Sequence, residues 1–323
     1  MYAAVLHTLG KPPRYEQFPE PVPGSDEAIV EVRAAALKPV DKQMASGSHY
    51  ASPAQLPVVC GIDGVGCLPD GSRVFFAGPR RPYGAMTERT VVHSARCWPI
   101  PDSVDNITAA ALVNPGMSAW LSLSWRAKLT QGETVLILGA TGTTGKLAVQ
   151  ISKLLGAGRV IAAGRNEQVL NSLRGLGADA TVRITEPEKE LASAFAREAG
   201  DSGFHVIIDY LWGRPTEALL AAITSADFNP SHSGRTRLVQ VGESAGPTIS
   251  LAAAALRSSA LEILGAGSGS LPSLDIIRDI YNKLLAHAAA GKLRVATQKV
   301  RLAEIEDAWE RQSPSGVRLV IIP

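Results

Sequence analysis

With 323 residues the chain exceeds the usual size of one compact domain, and 46% hydrophobic against 19% charged residues excludes a disordered or collagen-like polymer. The formal net charge is +2 with Lys and Arg scattered, which leaves little to attract nucleic acid or an anionic membrane, so a small-molecule partner is expected. Cys60, Cys67 and Cys97 fit neither a disulfide framework nor a CxxC zinc site and imply a reducing, cytoplasmic setting; the first ten residues lack the order of a secretory signal, and no stretch reaches the ~18 apolar residues of a bilayer crossing.

Residues 1 to about 100 read as short strands between Pro and Gly turns, at 3–6, 28–36, 64–68, 73–76 and 87–92. Helical periodicity begins near Ile107, with Ala109, Ala110, Leu112 and Val113 and then Trp120, Leu121 and Leu123, so a boundary is expected near Asn114. From 134 to 267 apolar runs alternate with helical segments: strands at 134–138, 159–163, 180–184, 205–211, 236–242 and 261–266, with helices such as 146–155, 168–173, 189–199 and 216–224 between them. Six strands joined by crossover helices predict a parallel, doubly wound sheet. The tail reads as helices over 274–290 and 303–311 and a last strand over 318–322.

The strongest local pattern is strand 134–138, the turn Gly139-Ala-Thr-Gly142-Thr-Thr-Gly145, and a helix whose Leu147, Ile151, Leu154 and Leu155 fall on one face. Glycines let the backbone approach a pyrophosphate, and the free N–H groups and positive dipole end at Thr143, Thr144 and Gly145 receive its charge. The second strand of this zone ends in Gly164-Arg165-Asn166. An NAD site usually places an acid there for the ribose hydroxyl, whereas an arginine pairs with a 2′-phosphate, so NADPH is the expected cofactor.

At this point the chain resembles the medium-chain dehydrogenase/reductase superfamily, and within it the zinc-independent quinone oxidoreductase and enone reductase branch. The residues that carry the resemblance are Lys38-Pro-Val-Asp41-Lys-Gln-Met-Ala-Ser46-Gly47, Pro57-Val-Val-Cys-Gly61-Ile-Asp63-Gly64-Val-Gly66, Tyr83-Gly84-Ala85-Met-Thr-Glu88, Ala109-Ala-Ala-Leu, Gly116-Met-Ser118-Ala-Trp120 and the glycine turn, in that order. The resemblance implies an α/β protein: a GroES-like β-barrel catalytic domain from 1–114 and 268–323, and a Rossmann NADPH-binding domain, a doubly wound parallel sheet, from 115–267, with the active site in the cleft. In the zinc-dependent members a Cys, a His and a Cys stand where this chain has Lys38, Ile62 and Asn114, so no metal is expected. The family's usual Asn and Tyr of the first motif are Lys38 and Gln43 here.

Without a Lewis acid, hydride addition to a quinone or an α,β-unsaturated carbonyl is easier than reduction of a plain ketone, because charge delocalises onto an oxygen that a few donors stabilise. Lys38, Gln43, Tyr50 and Tyr83 are the candidate donors on the substrate side. The resemblance and the strand-end rule together add cofactor contacts at Asp41, Ser118, Tyr210, Val241, Gly242, Gly265, Ala266 and Gly267; Asp41 equally suits a helix N-cap. Loops 46–57 and 228–235 are expected to shape the acceptor pocket, and the last Rossmann strand to pair across a two-fold axis into a homodimer. A second expectation stands beside the reductase: an NADPH-binding protein with little or no turnover, in a sensor or crystallin-like role.

Overall fold

The computed structural model describes residues 1–185, 187–224, 235–311 and 314–323. Loop residues 228–234, named above for the acceptor pocket, lie outside the described residues. The chain divides into two compact units: Met1–Asn114 with Leu285–Gly291 and Val295–Pro323, and Pro115–Leu284 with Lys292–Arg294. This is a GroES-like barrel unit and a Rossmann unit.

The barrel unit begins with strands β1 (Tyr2–Leu6), β2 (Arg14–Gln17) and β3 (Glu27–Leu37), helix α1 (Pro39–Ser46), and strands β4 (Val58–Val59), β5 (Asp63–Cys67), β6 (Arg73–Ala77), β7 (Arg89–His93) and β8 (Cys97–Pro99). Helix α2 (Asn106–Leu121) follows. The Rossmann unit then alternates β9 (Thr134–Leu138), α3 (Thr143–Leu154), β10 (Arg159–Gly164), α4 (Glu167–Ser172), β11 (Ala180–Arg183), α5 (Glu188–Ala199), β12 (Val206–Asp209), α6 (Gly213–Ile223), β13 (Thr236–Gln240), α7 (Ala253–Ser258) and β14 (Leu261–Gly265). After α8 (Leu274–Ala289), β15 (Ala296–Arg301), α9 (Ile305–Glu310) and β16 (Val317–Ile322) return to the barrel unit, where β16 pairs antiparallel with β3.

In the barrel unit β2, β1 and β4 form one sheet, and β15, β16, β3, β5, β6 and β8, with β7 also on β3, form a larger one. Alternating burial along β3 sends Val30 and Val32 inward to meet Leu6, Val74, Phe76, Met86, Leu319 and Ile321. Each such side chain contributes about 1.5–3 kcal/mol on burial. Several of these strands carry no apolar alternation. Arg-Tyr-Glu-Gln in β2 and the mostly exposed β15 are held by pairing with β1 and β16, which is why the sequence pattern missed them.

The Rossmann sheet is fully parallel, in the order β11-β10-β9-β12-β13-β14. Its central strands are continuous apolar runs because helices cover both faces; Leu136, Ile161, Phe195, Phe204, Ile207, Leu219 and Leu238 form the core on one of them. Registers Leu138↔Ala163 and Leu138↔Asp209 bring the carboxyl ends of β9, β10 and β12 level. The strand expected over 205–211 is shorter, Val206–Asp209, because the Asp209 carboxylate turns the chain: Oδ1 accepts from the amides of Leu211 (2.8 Å) and Trp212 (2.9 Å).

Candidate functional site

Two regions gather the residues singled out by sequence. The first is the carboxyl edge of the Rossmann sheet. Gly139 takes φ 84° after β9, a left-handed value that favours glycine, and the amides of Gly139 and Ala140 both donate to the Ala163 carbonyl, which folds the turn back on β10. A Cβ at Gly145 would lie 2.3 Å from the Gly139 carbonyl oxygen, so only glycine lets α3 start this close to the strand. The N-cap of α3 is Gly142, which has no side chain to accept from the first-turn amides of Thr143, Thr144 and Gly145. Gly142 itself is exposed, and an uncapped helix start of this kind suits an anion.

Next to it, Gly164 ends β10 and gives Thr141 room; a Cβ there would meet the Thr141 methyl at 2.5 Å. Arg165 follows, exposed, with no carboxylate paired to it among the described residues. Asn166 N-caps α4, its Oδ1 accepting the Val169 amide at 3.1 Å. Tyr210 follows β12; its hydroxyl is buried with no hydrogen-bond partner, and burial pushes its pKa upward. Val241 and Gly242 lie just beyond β13, where both amides donate to the Asp209 carbonyl (2.8 and 3.1 Å). Gly265 ends β14, and Ala266 and Gly267 follow it. Ser118 is half-buried on α2.

The second region is a charge cluster inside the barrel unit. Lys38, 3% exposed, directs Nζ to the Ala36 carbonyl (3.0 Å), Asp63 Oδ1 (3.0 Å) and Asp41 Oδ2 (3.4 Å). Two of its N–H groups are therefore spent on Ala36 and Asp63, and its charge is also paired with Asp41. Asn114 Nδ2 donates to the other Asp63 oxygen at 2.8 Å. Asp41 accepts the Lys38 amide (2.8 Å) and the Ile62 amide (3.3 Å), so from the third position of α1, and not as its N-cap residue, it caps the helix and ties it to β5. Burial works against the Lys38 charge, but Asp41 and Asp63 outweigh it and raise the pKa above the ordinary lysine value. Burial pushes the Asp63 pKa up, while Lys38 and Asn114, one on each oxygen, favour its carboxylate. Arg318 closes the cluster, donating to the Leu37 carbonyl at 2.9 Å.

Beside this cluster the barrel unit encloses a cavity of about 190 Å³, lined mainly by apolar residues including Leu6, Met44, Val58, Ile62, Pro79 and Tyr83, with Asp41 and Arg81 as its charged members. Tyr83 packs edge-on against Phe18 at 5.9 Å and donates its hydroxyl to the Glu20 carbonyl at 3.2 Å. Gln43 is half-buried on α1, while Tyr50 stands 80% exposed against His49. The structure thus brings Lys38 and Asp41 together and Tyr83 to the cavity, and places Tyr50 in solvent. Sequence reasoning gave no role to Asp63 or Arg81; an acid inside the apolar, glycine-rich run Ile62-Asp-Gly-Val-Gly66 is the signal that pointed to the first.

The glycine-turn Rossmann sheet and the GroES-like barrel are the two folds that the resemblance to the medium-chain dehydrogenase/reductase superfamily implies. Residues 143–271 match the family described as zinc-binding dehydrogenase. The probable NADPH-dependent quinone reductase tdiC of Emericella nidulans is 28% identical over the whole of both chains. The NADPH-dependent alkenal/one oxidoreductase of Arabidopsis thaliana is 30% identical over 51% of this chain and 47% of its own length. The crystal structure of the quinone oxidoreductase from Thermus thermophilus superposes with a TM-score of 0.80 at 26% identity, covering 100% of each chain. Over its whole length the chain is thus similar to quinone oxidoreductases. The donors present do not fit a zinc ion, because an ammonium, an aliphatic side chain and a carboxamide stand at Lys38, Ile62 and Asn114. Among the described residues no group of three or more His, Cys, Asp or Glu is placed to hold a metal, and no helix is long and apolar enough to cross a membrane.

Proposed function

We propose that the chain is an NADPH-dependent reductase of quinones or α,β-unsaturated carbonyl compounds. The observation that carries this reading is the uncapped first turn of α3 together with Arg165, which no carboxylate pairs with among the described residues: backbone donors for a pyrophosphate and a guanidinium for a 2′-phosphate. The residues present fit the cofactor, since Gly142 leaves a Cα face open to it and the buried Tyr210 hydroxyl lacks a partner at the same sheet edge. When bound, NADPH supplies a hydride.

In this reading residues 115–267 hold the cofactor, and 1–114 with 268–323 take the acceptor in the barrel cavity. With an enone the chemistry supplied would be conjugate reduction at the β-carbon, for which the oxygen would carry the electron pair and solvent would supply the proton to the α-carbon. The apolar walls exclude water and orient the acceptor. Lys38 acts here as a positioning residue, pairing with Asp63 and with Asp41, which lines the cavity. The unpaired outer edge of β14 supports a homodimer joined strand to strand, and the free cysteines a cytoplasmic setting.

The test is oxidation of NADPH against a panel of quinones and 2-alkenals, with Arg165→Ala as control. Wild-type protein is expected to turn over at least one acceptor, and the variant to raise KM for NADPH about 10- to 100-fold while that for NADH moves less than about twofold. Tight NADPH binding without turnover on any acceptor would replace the reductase by the binding-protein reading.

A further inference from the structure

The barrel cavity is lined by a guanidinium that no carboxylate pairs with among the described residues. Asp41, its only acidic lining residue, is engaged by the Lys38 amide, the Ile62 amide and the Lys38 ammonium, so the floor is neutral as built. Arg81 also lines the cavity. Its Nη2 is anchored on the Ala51 carbonyl at 2.6 Å, and among the described residues no carboxylate pairs with it. Its neighbour Arg80 differs in this respect, being bridged to Glu27 at 3.3 Å. A second arginine reinforces the first. The Arg96 Nη1 lies 2.3 Å from where a Cβ on Gly78 would stand, and Gly78 is itself a lining residue; Arg96 too has no carboxylate partner among the described residues.

An apolar cavity of about 150 Å³ holds a benzene, so the 190 Å³ here suits a single ring or a short chain. An anchored guanidinium at the mouth of such a cavity, with its outer N–H groups unspent, is built to receive a planar anion. We infer that the acceptor is a short unsaturated carbonyl compound bearing a carboxylate, its apolar body in the cavity and its carboxylate on Arg81, with Arg96 adding attraction from the rim. This rests on the reductase reading above and names the class of acceptor for it.

The probes are 4-oxopent-2-enoate and its primary amide, which share one unsaturated skeleton and differ in charge. In the full chain with NADPH, Arg81→Gln is expected to lower kcat/KM for the acid about 10- to 100-fold, chiefly through KM, and to change that for the amide less than about twofold. Arg81→Lys should recover part of the loss, and Arg96→Gln should cost the acid a few-fold, about threefold. Unchanged melting temperatures would separate binding from folding. Calorimetry with the saturated acid 4-oxopentanoate gives a readout that needs no turnover: binding to wild type and weakening in Arg81→Gln are expected. Equal losses for acid and amide, or equal heats for wild type and Arg81→Gln, would overturn the inference. Failure of wild type to reduce either probe, with the calorimetric difference intact, would count against the reductase reading alone.

Discussion

The two candidate regions are built from opposite materials. The Rossmann edge is a backbone feature: its donors are main-chain amides at a helix start whose glycine N-cap offers no side chain to them. The barrel cluster is a side-chain site, closed on itself, in which Lys38, Asp41, Asp63 and Asn114 satisfy one another. An open backbone cradle costs little to keep in water. A buried charge network, by contrast, is stable only when every member is present, because an unpaired charge in a low-dielectric interior is expensive.

That contrast predicts where substitution hurts folding and where it hurts binding. The largest effect should come from Lys38→Met, which leaves Asp41 and Asp63 without their ammonium and is expected to cost about 3–5 kcal/mol by denaturant unfolding. Adding Asp63→Asn in that background should recover part of it. A loss under about 1 kcal/mol for the single variant would mean that the cluster is solvated and the contrast false.

Two glycine substitutions come next. Gly145→Ala drives a Cβ to 2.3 Å from the Gly139 carbonyl oxygen and 2.6 Å from the Ala140 Cα, so both stability, by about 1–3 kcal/mol, and NADPH affinity should fall. At Gly142 the backbone has φ −77°, and the nearest atom to an added Cβ is 3.5 Å away. Gly142→Ala should therefore cost less than about 1 kcal/mol, for the poorer N-cap, and act chiefly by weakening NADPH binding, measured by calorimetry. Undiminished binding in Gly142→Ala would sink the cradle reading.

The smallest effect concerns pH. Glu133 accepts the Thr130 amide at 2.8 Å and pairs with Arg237. Burial pushes its pKa up, but the Thr130 amide and then Arg237 outweigh it, so the folded value lies below the ordinary one. A depressed carboxyl contributes stability that is present above the unfolded value of about 4.3 and is lost as pH falls through the folded value. Glu133→Gln should cost less than about 1 kcal/mol at pH 7, and the gap to wild type should close in acid; a gap that widens on acidification would contradict the assignment.

Much of the Rossmann edge was legible in the sequence because its determinants are local. A strand, a glycine turn and a helix follow one another within about twenty residues, so Gly139, Gly142, Gly145 and Arg165 could be named from spacing. The barrel was harder to read. Its polar edge strand β2 and its exposed β15 have no apolar alternation, and their pairing partners lie elsewhere in the chain. Tyr50 matched a candidate donor by residue type, yet the structure leaves it in solvent.

By itself, then, the sequence determined the parallel sheet and its glycine turn, because hydrophobic period and glycine placement are short-range properties of the chain. Only the tertiary structure decided that Lys38 spends its ammonium on Asp63, 25 residues away, that Asn114 reaches the same carboxylate from 51 residues away, and that Arg81 lines a cavity without a carboxylate paired to it among the described residues. Those outcomes depend on which distant side chains the folded backbone brings within hydrogen-bond distance, and no local pattern encodes that.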